Sequence, residues 1–235
     1  MTGTYRIAGL NICITTIHDG FHVYSEDYSV DGDAYDFDVQ TSQEDIDVER
    51  SKSKDFSPPD AYLEAVAVFR KISERMPEYD TLLFHGSAVS VDGLGYIFAA
   101  PSGTGKSTHT AMWCEMLGER AVMVNDDKPM IRVGTAGAEV FGTPFNGKHS
   151  RGNNIHVPLR AVCILERGET NHIERINGDA AYSSLIRQTY RPYNSVMLAK
   201  TLSLLDRLKN SMSFYRLYCN MNSEAARVSW EAMRP

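Results

Sequence analysis

The run Ala100-Pro101-Ser102-Gly103-Thr104-Gly105-Lys106-Ser107-Thr108 constrains this chain more than any other segment. It follows the pattern G-x-x-x-x-G-K-[ST] except at the first position, where Ala100 stands for glycine. The physics of an anion cradle survives that change. Gly103 and Gly105 let successive backbone N–H groups turn inward around a phosphate. Lys106, expected as an exposed ligand, adds a point charge for the β- and γ-phosphates, and the Ser107 hydroxyl is placed to ligate Mg²⁺. Ser102, Gly103, Thr104, Gly105, Lys106, Ser107 and Thr108 are therefore the expected nucleotide-binding residues, with ATP and Mg²⁺ as the expected cofactors. The flanks suit this reading. Leu94 to Ala99 is a short apolar strand, and Thr108 to Leu117 forms a helix that Gly118 ends.

At 235 residues and 43% hydrophobic, the chain can bury one good core and a smaller subdomain. A net charge of −6 gives no reason to expect nucleic acid as a partner. No stretch approaches the roughly 18–20 apolar residues of a membrane helix, so no membrane partner is expected. The opening Met1-Thr2-Gly3-Thr4-Tyr5-Arg6 lacks the basic-then-apolar layout of a signal peptide. Cys13, Cys114, Cys163 and Cys219 are scattered and read as buried thiols of a reducing compartment, which makes the cytoplasm the expected location. Acidic residues dominate from Asp19 to Asp55 and basic ones from Lys148 to Arg216. A basic half beside a phosphate loop suits a polyanion site, although solvated faces of unrelated sign are the competing reading for most of these residues.

Along the chain, Tyr5 to Thr16 and the pieces His22–Tyr24 and Tyr35–Val39 read as strands. Glu49 to Asp55 reads as a polar connection. Ser57-Pro58-Pro59-Asp60 opens a helix with a core stripe of Tyr62, Ala65, Val66, Phe69, Ile72 and Met76, which Pro77 stops. Residues 1–80 are thus expected as a β-rich N-terminal subdomain ending in a helix, and 81–235 as the catalytic domain. In the latter, Leu82–Val91 and Leu94–Ala99 meet at the hairpin signal Asp92-Gly93. Ala121–Val124, the pair Met130–Val133 and Ala138–Phe141, Ala161–Leu165 and Phe214–Tyr218 read as further strands. Asp179–Tyr190, Ser195–Lys209 and Asn222–Met233 read as helices.

A phosphate loop needs an acidic partner, and Asp126-Asp127 ends an apolar strand ~20 residues after Ser107. One carboxylate can orient the metal while the other accepts the proton of an attacking hydroxyl. A turn or a helix cap is the competing reading of two adjacent aspartates.

His85-Gly86-Ser87-Ala88-Val89, then S-G-T-G-K-S-T, then Asn125-Asp126-Asp127 resembles the catalytic domain of HPr kinase/phosphorylase, well over residues 82–127 and less closely to residue 176. The resemblance implies an α/β class with the phosphoenolpyruvate carboxykinase-like P-loop fold: β-rich mixed sheets, a P-loop helix and C-terminal helices. It implies ATP-dependent phosphorylation of a serine on a protein or peptide. Position by position, Lys106 and Ser107 match the loop lysine and the metal-binding serine. Asp127 matches the catalytic base, with Asp126 supporting the metal. His85 matches an active-site histidine, a satisfied strand-end histidine being its alternative. Glu139 matches a metal-associated glutamate, and Arg175 an arginine that steadies the transferring phosphate. A homo-oligomer is also implied.

The chain departs from that family in having no counterpart of its N-terminal regulatory domain. The carrier-docking region is replaced by Gly142-Thr143-Pro144-Phe145-Asn146-Gly147-Lys148-His149, where Lys148 and His149 either meet substrate or sit in an ordinary polar loop. Two rival functions stand beside the kinase: a phosphoenolpyruvate carboxykinase-like enzyme acting on a small acid, and an ATP-binding regulator without catalysis.

Overall fold

In the computed structural model, which describes every residue except 33, 54–56, 148–151 and 221, the chain divides between Arg75 and Met76 into two units. In the first, β1 (Thr2–Ile7) and β2 (Leu10–Thr15) form a hairpin through Ala8 and Gly9, both at positive φ. The helix α1 (Gly20–Tyr24) follows, then β3 (Phe37–Gln40), which adds parallel to β2. The helices α2 (Gln43–Lys52) and α3 (Asp60–Arg75) complete the unit.

Three sequence expectations are corrected here. His22–Tyr24 is helix, not strand. Glu49–Lys52 is the last turn of α2, not a connection. Ser42 and Asp45 form a capping box at the start of α2, and its acidic face pairs with α3 through Arg70, 3.2 Å from Asp45 and 2.6 Å from Glu49. An ion-pair lattice thus replaces the apolar stripe that would have revealed this helix. The buried face of α3 is also rotated from the expected one: Leu63, Glu64, Ala67, Val68 and Ile72 face inward, while Tyr62 is 59% exposed. Glu64 explains the rotation. Its carboxylate accepts the N–H groups of Ile17 and His18, each at 2.7 Å, and the Thr41 hydroxyl at 2.5 Å.

The second unit contains β4 (Thr81–Leu83), β5 (Ser87–Val91), β6 (Leu94–Ala99), α4 (Lys106–Leu117), β7 (Ala121–Asn125), β8 (Met130–Val133), β9 (Ala138–Phe141) and β10 (His156–Arg167). After these come β11 (His172–Ile176), α5 (Gly178–Gln188), α6 (Ser195–Ser211), β12 (Ser213–Cys219) and α7 (Glu224–Met233). The result is a mixed α/β unit. Its strands run in the order β4-β8-β9-β10-β6-β5-β7, with β12 also paired to β10 and β11 to β12. Asp92 and Gly93, at φ 51° and 80°, make the tight β5–β6 turn that the dipeptide predicts.

The central strands are covered on both faces. Ile97 and Val162 pack with Leu185, Leu204 and Leu208 from α5 and α6. Their neighbours Phe98 and Cys163 pack with Trp113 of α4 and Met233 of α7. This two-sided burial is why these strands read as continuous apolar runs in the sequence. β10 is longer than expected because its first residues, His156, Val157 and Pro158, pair with β9, and β11 went unread because its His-Ile-Glu-Arg-Ile is largely exposed. Among the described residues, no helix is long and apolar enough to cross a membrane.

Strand direction sets up the site. β5 is antiparallel to both β6 and β7, so those two run the same way although they are not neighbours. β10 is parallel to β6, and β12 to β10. The C-terminal ends of β6, β7, β10 and β12 and the start of β5 therefore share one edge.

Candidate active site

At that edge lies a cleft of about 1020 Å³. Its floor is the turn from β6 into α4. Gly103 and Gly105 sit at φ 77° and 116°, a left-handed conformation that a side chain would strain, and Gly105 is the residue that caps α4. The first N–H groups of α4 have no carbonyl a turn earlier to bond, so they and the helix dipole favour an anion there. All seven residues from Ser102 to Thr108 line the cleft.

Lys106 corrects the expectation of an exposed ligand, since only 8% of it is accessible. Its Nζ donates to the carbonyls of Ala100 at 2.9 Å and Pro101 at 3.4 Å. Burial pushes its pKa below the ordinary lysine value, the Asp127 charge opposes that shift, and Lys128 reinforces it.

Across from the loop, β7 ends in Asn125, which is fully buried and organises the acidic corner. Its Oδ1 accepts the N–H of Asp127 at 2.9 Å and of Lys128 at 2.6 Å. Its amide donates to Thr143 and to the Asn146 side chain. Asp126 is turned inward, and its Oδ1 accepts the Gly147 N–H at 2.6 Å. Asp127 is only partly covered. Its two oxygens lie 3.3 Å from His85 Nε2 and 3.1 Å from Lys128 Nζ. Burial works to raise the Asp127 pKa, but the His85 hydrogen bond and the charge of Lys128 outweigh it, so the carboxyl titrates below its ordinary value.

His85 reaches this corner because the stretch expected as one strand, Leu82–Val91, breaks between β4 and β5. In the break, the His85 N–H donates to Gln188 and the Gly86 N–H to the Asp127 carbonyl. His85, Asp126, Asp127 and Lys106 thus line the same cleft.

Glu139 and Arg175 do not line it. Glu139 lies mid-strand in β9, opposite Arg132 and Pro158. Arg175 is in β11 opposite Tyr215, and its guanidinium contacts Ser213. Lys148 and His149 lie outside the described residues. The sequence reading missed Lys128, Asn125 as an organiser, and Arg167. Arg167 ends β10, lines the cleft and donates to the Gly103 carbonyl at 2.8 Å. The clue to Lys128 was its position next to Asp127, while Arg167 could be found only from the parallel pairing of β10 with β6. Among the described residues, no group of three or more His, Cys, Asp or Glu side chains is arranged to hold a metal by itself.

The inner side of α4 is pinned from behind. Trp113 donates its indole N–H to Ser229 of α7 at 2.8 Å, and His109 Nε2 lies 3.0 Å from the same hydroxyl. Burial pushes the His109 pKa down to about 4.

No curated protein matches the chain. Among solved structures, the Hpr(Ser) kinase/phosphatase from Coxiella burnetii is similar at 9% identity and a TM-score of 0.33, over 65% of this chain and 99% of that one. A likeness of that size carries no weight for fold or activity. The family described as SynChlorMet cassette protein ScmC matches residues 52–208, well over half of the sequence, and the chain belongs to that family.

Proposed function

We propose that this protein is an ATP-dependent phosphotransferase of the HPr-kinase type, built on a phosphoenolpyruvate carboxykinase-like P-loop fold, which phosphorylates a serine on a protein or peptide. One observation carries the reading: a phosphate loop and a carboxylate held ionised by His85 and Lys128 line the same cleft. The cleft volume is that of small-molecule sites, about 300–1,000 Å³.

The residues present fit the groups required. The loop N–H groups and Lys106 would hold the β- and γ-phosphates. Ser107 would ligate Mg²⁺, with Asp126 behind it through its second oxygen. The metal would supply charge neutralisation at the phosphates when bound. Glu139 has no part in this, because it does not reach the cleft.

In the transfer, the serine oxygen bonds to the γ-phosphorus and the bond from that phosphorus to the bridging oxygen breaks. ADP leaves, and the hydroxyl proton passes to Asp127. A carboxylate of low pKa is a weak base, which suits a loose transition state where the proton leaves late. Lys128 and His85 orient Asp127 and offset charge on the transferring group.

The test is incubation of the purified protein with Mg²⁺, γ-labelled ATP and a serine-containing peptide library. Label on phosphoserine, absent with Asp127→Asn, supports the kinase. ATP binding with no transfer to any acceptor would refute it in favour of a regulator.

A further inference from the structure

Two buried hydroxyls meet where α4 packs on β5. Ser87 is the first residue of β5, Thr110 lies in the second turn of α4, and their oxygens are 2.9 Å apart. Thr110 Oγ1 also lies 3.3 Å from the Lys106 carbonyl and 3.2 Å from that of Ser107. A carbonyl only accepts, so the Thr110 hydrogen is directed at these two. Among the described residues the Ser87 hydroxyl bonds to Thr110 alone, so Ser87 donates to Thr110. A directed chain thus runs from β5 into the backbone of the loop residues Lys106 and Ser107. At its other end, Ser87 follows His85 and Gly86, and the Gly86 N–H donates to the Asp127 carbonyl at 3.1 Å. β5 pairs on one side with β6, which leads into the loop, and on the other with β7, which leads into the aspartates.

We infer that Ser87 and Thr110 are positioning residues for the transfer step: their bond fixes the register of α4, and with it Lys106 and Ser107, against the strand that holds the His85 and Asp127 corner. This role rests on the phosphotransferase reading. On this face α4 otherwise meets the sheet through apolar packing, with Trp113 against Val89 and Phe98. Apolar contact is non-directional and tolerates sliding. A hydrogen bond does not, because it weakens steeply with distance and angle. The loop would hold the γ-phosphate, and Asp127 would take the proton of the attacking serine. An error in the spacing of these two elements therefore enters the reacting geometry directly, where a shift of about 1 Å can cost about 100-fold. Neither hydroxyl lines the cleft, so both act through the groups that do.

The test separates position from fold. Thr110→Val keeps the shape but strands the buried Ser87 donor, so the urea unfolding midpoint should fall. Adding Ser87→Ala removes that donor as well, and the midpoint should recover toward wild type. Transfer from γ-labelled ATP to a serine-containing peptide library should nevertheless stay about 10–100-fold down in both variants. ATP affinity, by calorimetry with Mg²⁺, should change less than about threefold. Thr110→Ser retains the hydroxyl and should transfer at close to the wild-type rate. Ser87→Ala alone leaves Thr110 bonded to its carbonyls, and it should show the same loss of transfer even if Thr110→Val folds poorly. Transfer that recovers with stability in the double variant, full transfer in Ser87→Ala, lost transfer in Thr110→Ser, or ATP affinity falling as far as transfer would overturn the role. Wild-type protein that binds ATP and transfers to no acceptor would instead remove the phosphotransferase reading, and the role with it.

Discussion

Replacing Asp127 with asparagine separates the proposed chemistry from binding. The amide keeps the shape of the carboxylate but can accept on one side only. Lys128, at 3.1 Å, has donors and no acceptor, so the amide oxygen will turn toward it. The amide N–H₂ then faces His85 Nε2, which can accept in its other tautomer. Both neighbours stay satisfied, and the side chain of Asp127 is 32% exposed, so the loss of fold stability should stay below about 1 kcal/mol. The proton acceptor is lost entirely. A positioned general base contributes roughly 10²–10⁴-fold, equivalent to about 3–5 kcal/mol of barrier, so phosphotransfer should fall by that factor. ATP affinity should change less than about threefold, because the loop and the metal carry it. Calorimetry with ATP and single-turnover transfer from labelled ATP make the two measurements. Full transfer by Asp127→Asn would refute the assignment of the base and move it to His85.

The pH dependence of stability is a second check. The pKa of Asp127 is depressed in the folded chain, so its contribution is full above the unfolded value of about 3.9 and lost as pH falls through the lower folded value. Urea unfolding should therefore show a constant gap between wild type and Asp127→Asn near neutrality that closes only below about pH 4. Lys106→Met removes a charge that is costly to bury but leaves the carbonyls of Ala100 and Pro101 without their donor, so the two effects oppose and the unfolding midpoint should move little, while ATP affinity drops about 10–100-fold. Equal affinity in calorimetry would sink the loop assignment. Asp126→Asn should preserve the Gly147 hydrogen bond and raise the Mg²⁺ concentration needed for turnover, because an amide is a poorer ligand for a hard cation. Behaviour identical to Asp127→Asn in a Mg²⁺ titration would contradict the division of roles. Asn125→Ala should cost about 3 kcal/mol or more in denaturant unfolding, since it strands the N–H groups of Asp127 and Lys128 and the carbonyl of Thr143. An unchanged midpoint would show that Asn125 does not organise the corner.

What the sequence determined by itself was local. The loop Ser102–Thr108 needs glycines at Gly103 and Gly105 for a backbone reason, and the Asp92-Gly93 hairpin has the same kind of cause, so both were legible without a fold. Apolar runs such as Leu94–Ala99 and Ala161–Leu165 were legible because burial on both faces leaves no polar alternation to confuse. Segments whose character comes from partners were not. The helix α2 is held by ion pairs to Arg70, and the facing of α3 is set by Glu64 accepting donors from distant residues. The site divides along the same line. Lys106 and Asp127 stand in recognisable motifs, but which flank each occupies depends on strand order. Tertiary structure alone inserted β5 between β6 and β7 and brought His85 to Asp127. It also set β10 beside β6, so that Arg167 meets the loop, and left Glu139 and Arg175 elsewhere. The physical reason is that a motif encodes backbone geometry over a few residues, whereas strand pairing is settled by burial summed over the whole sheet.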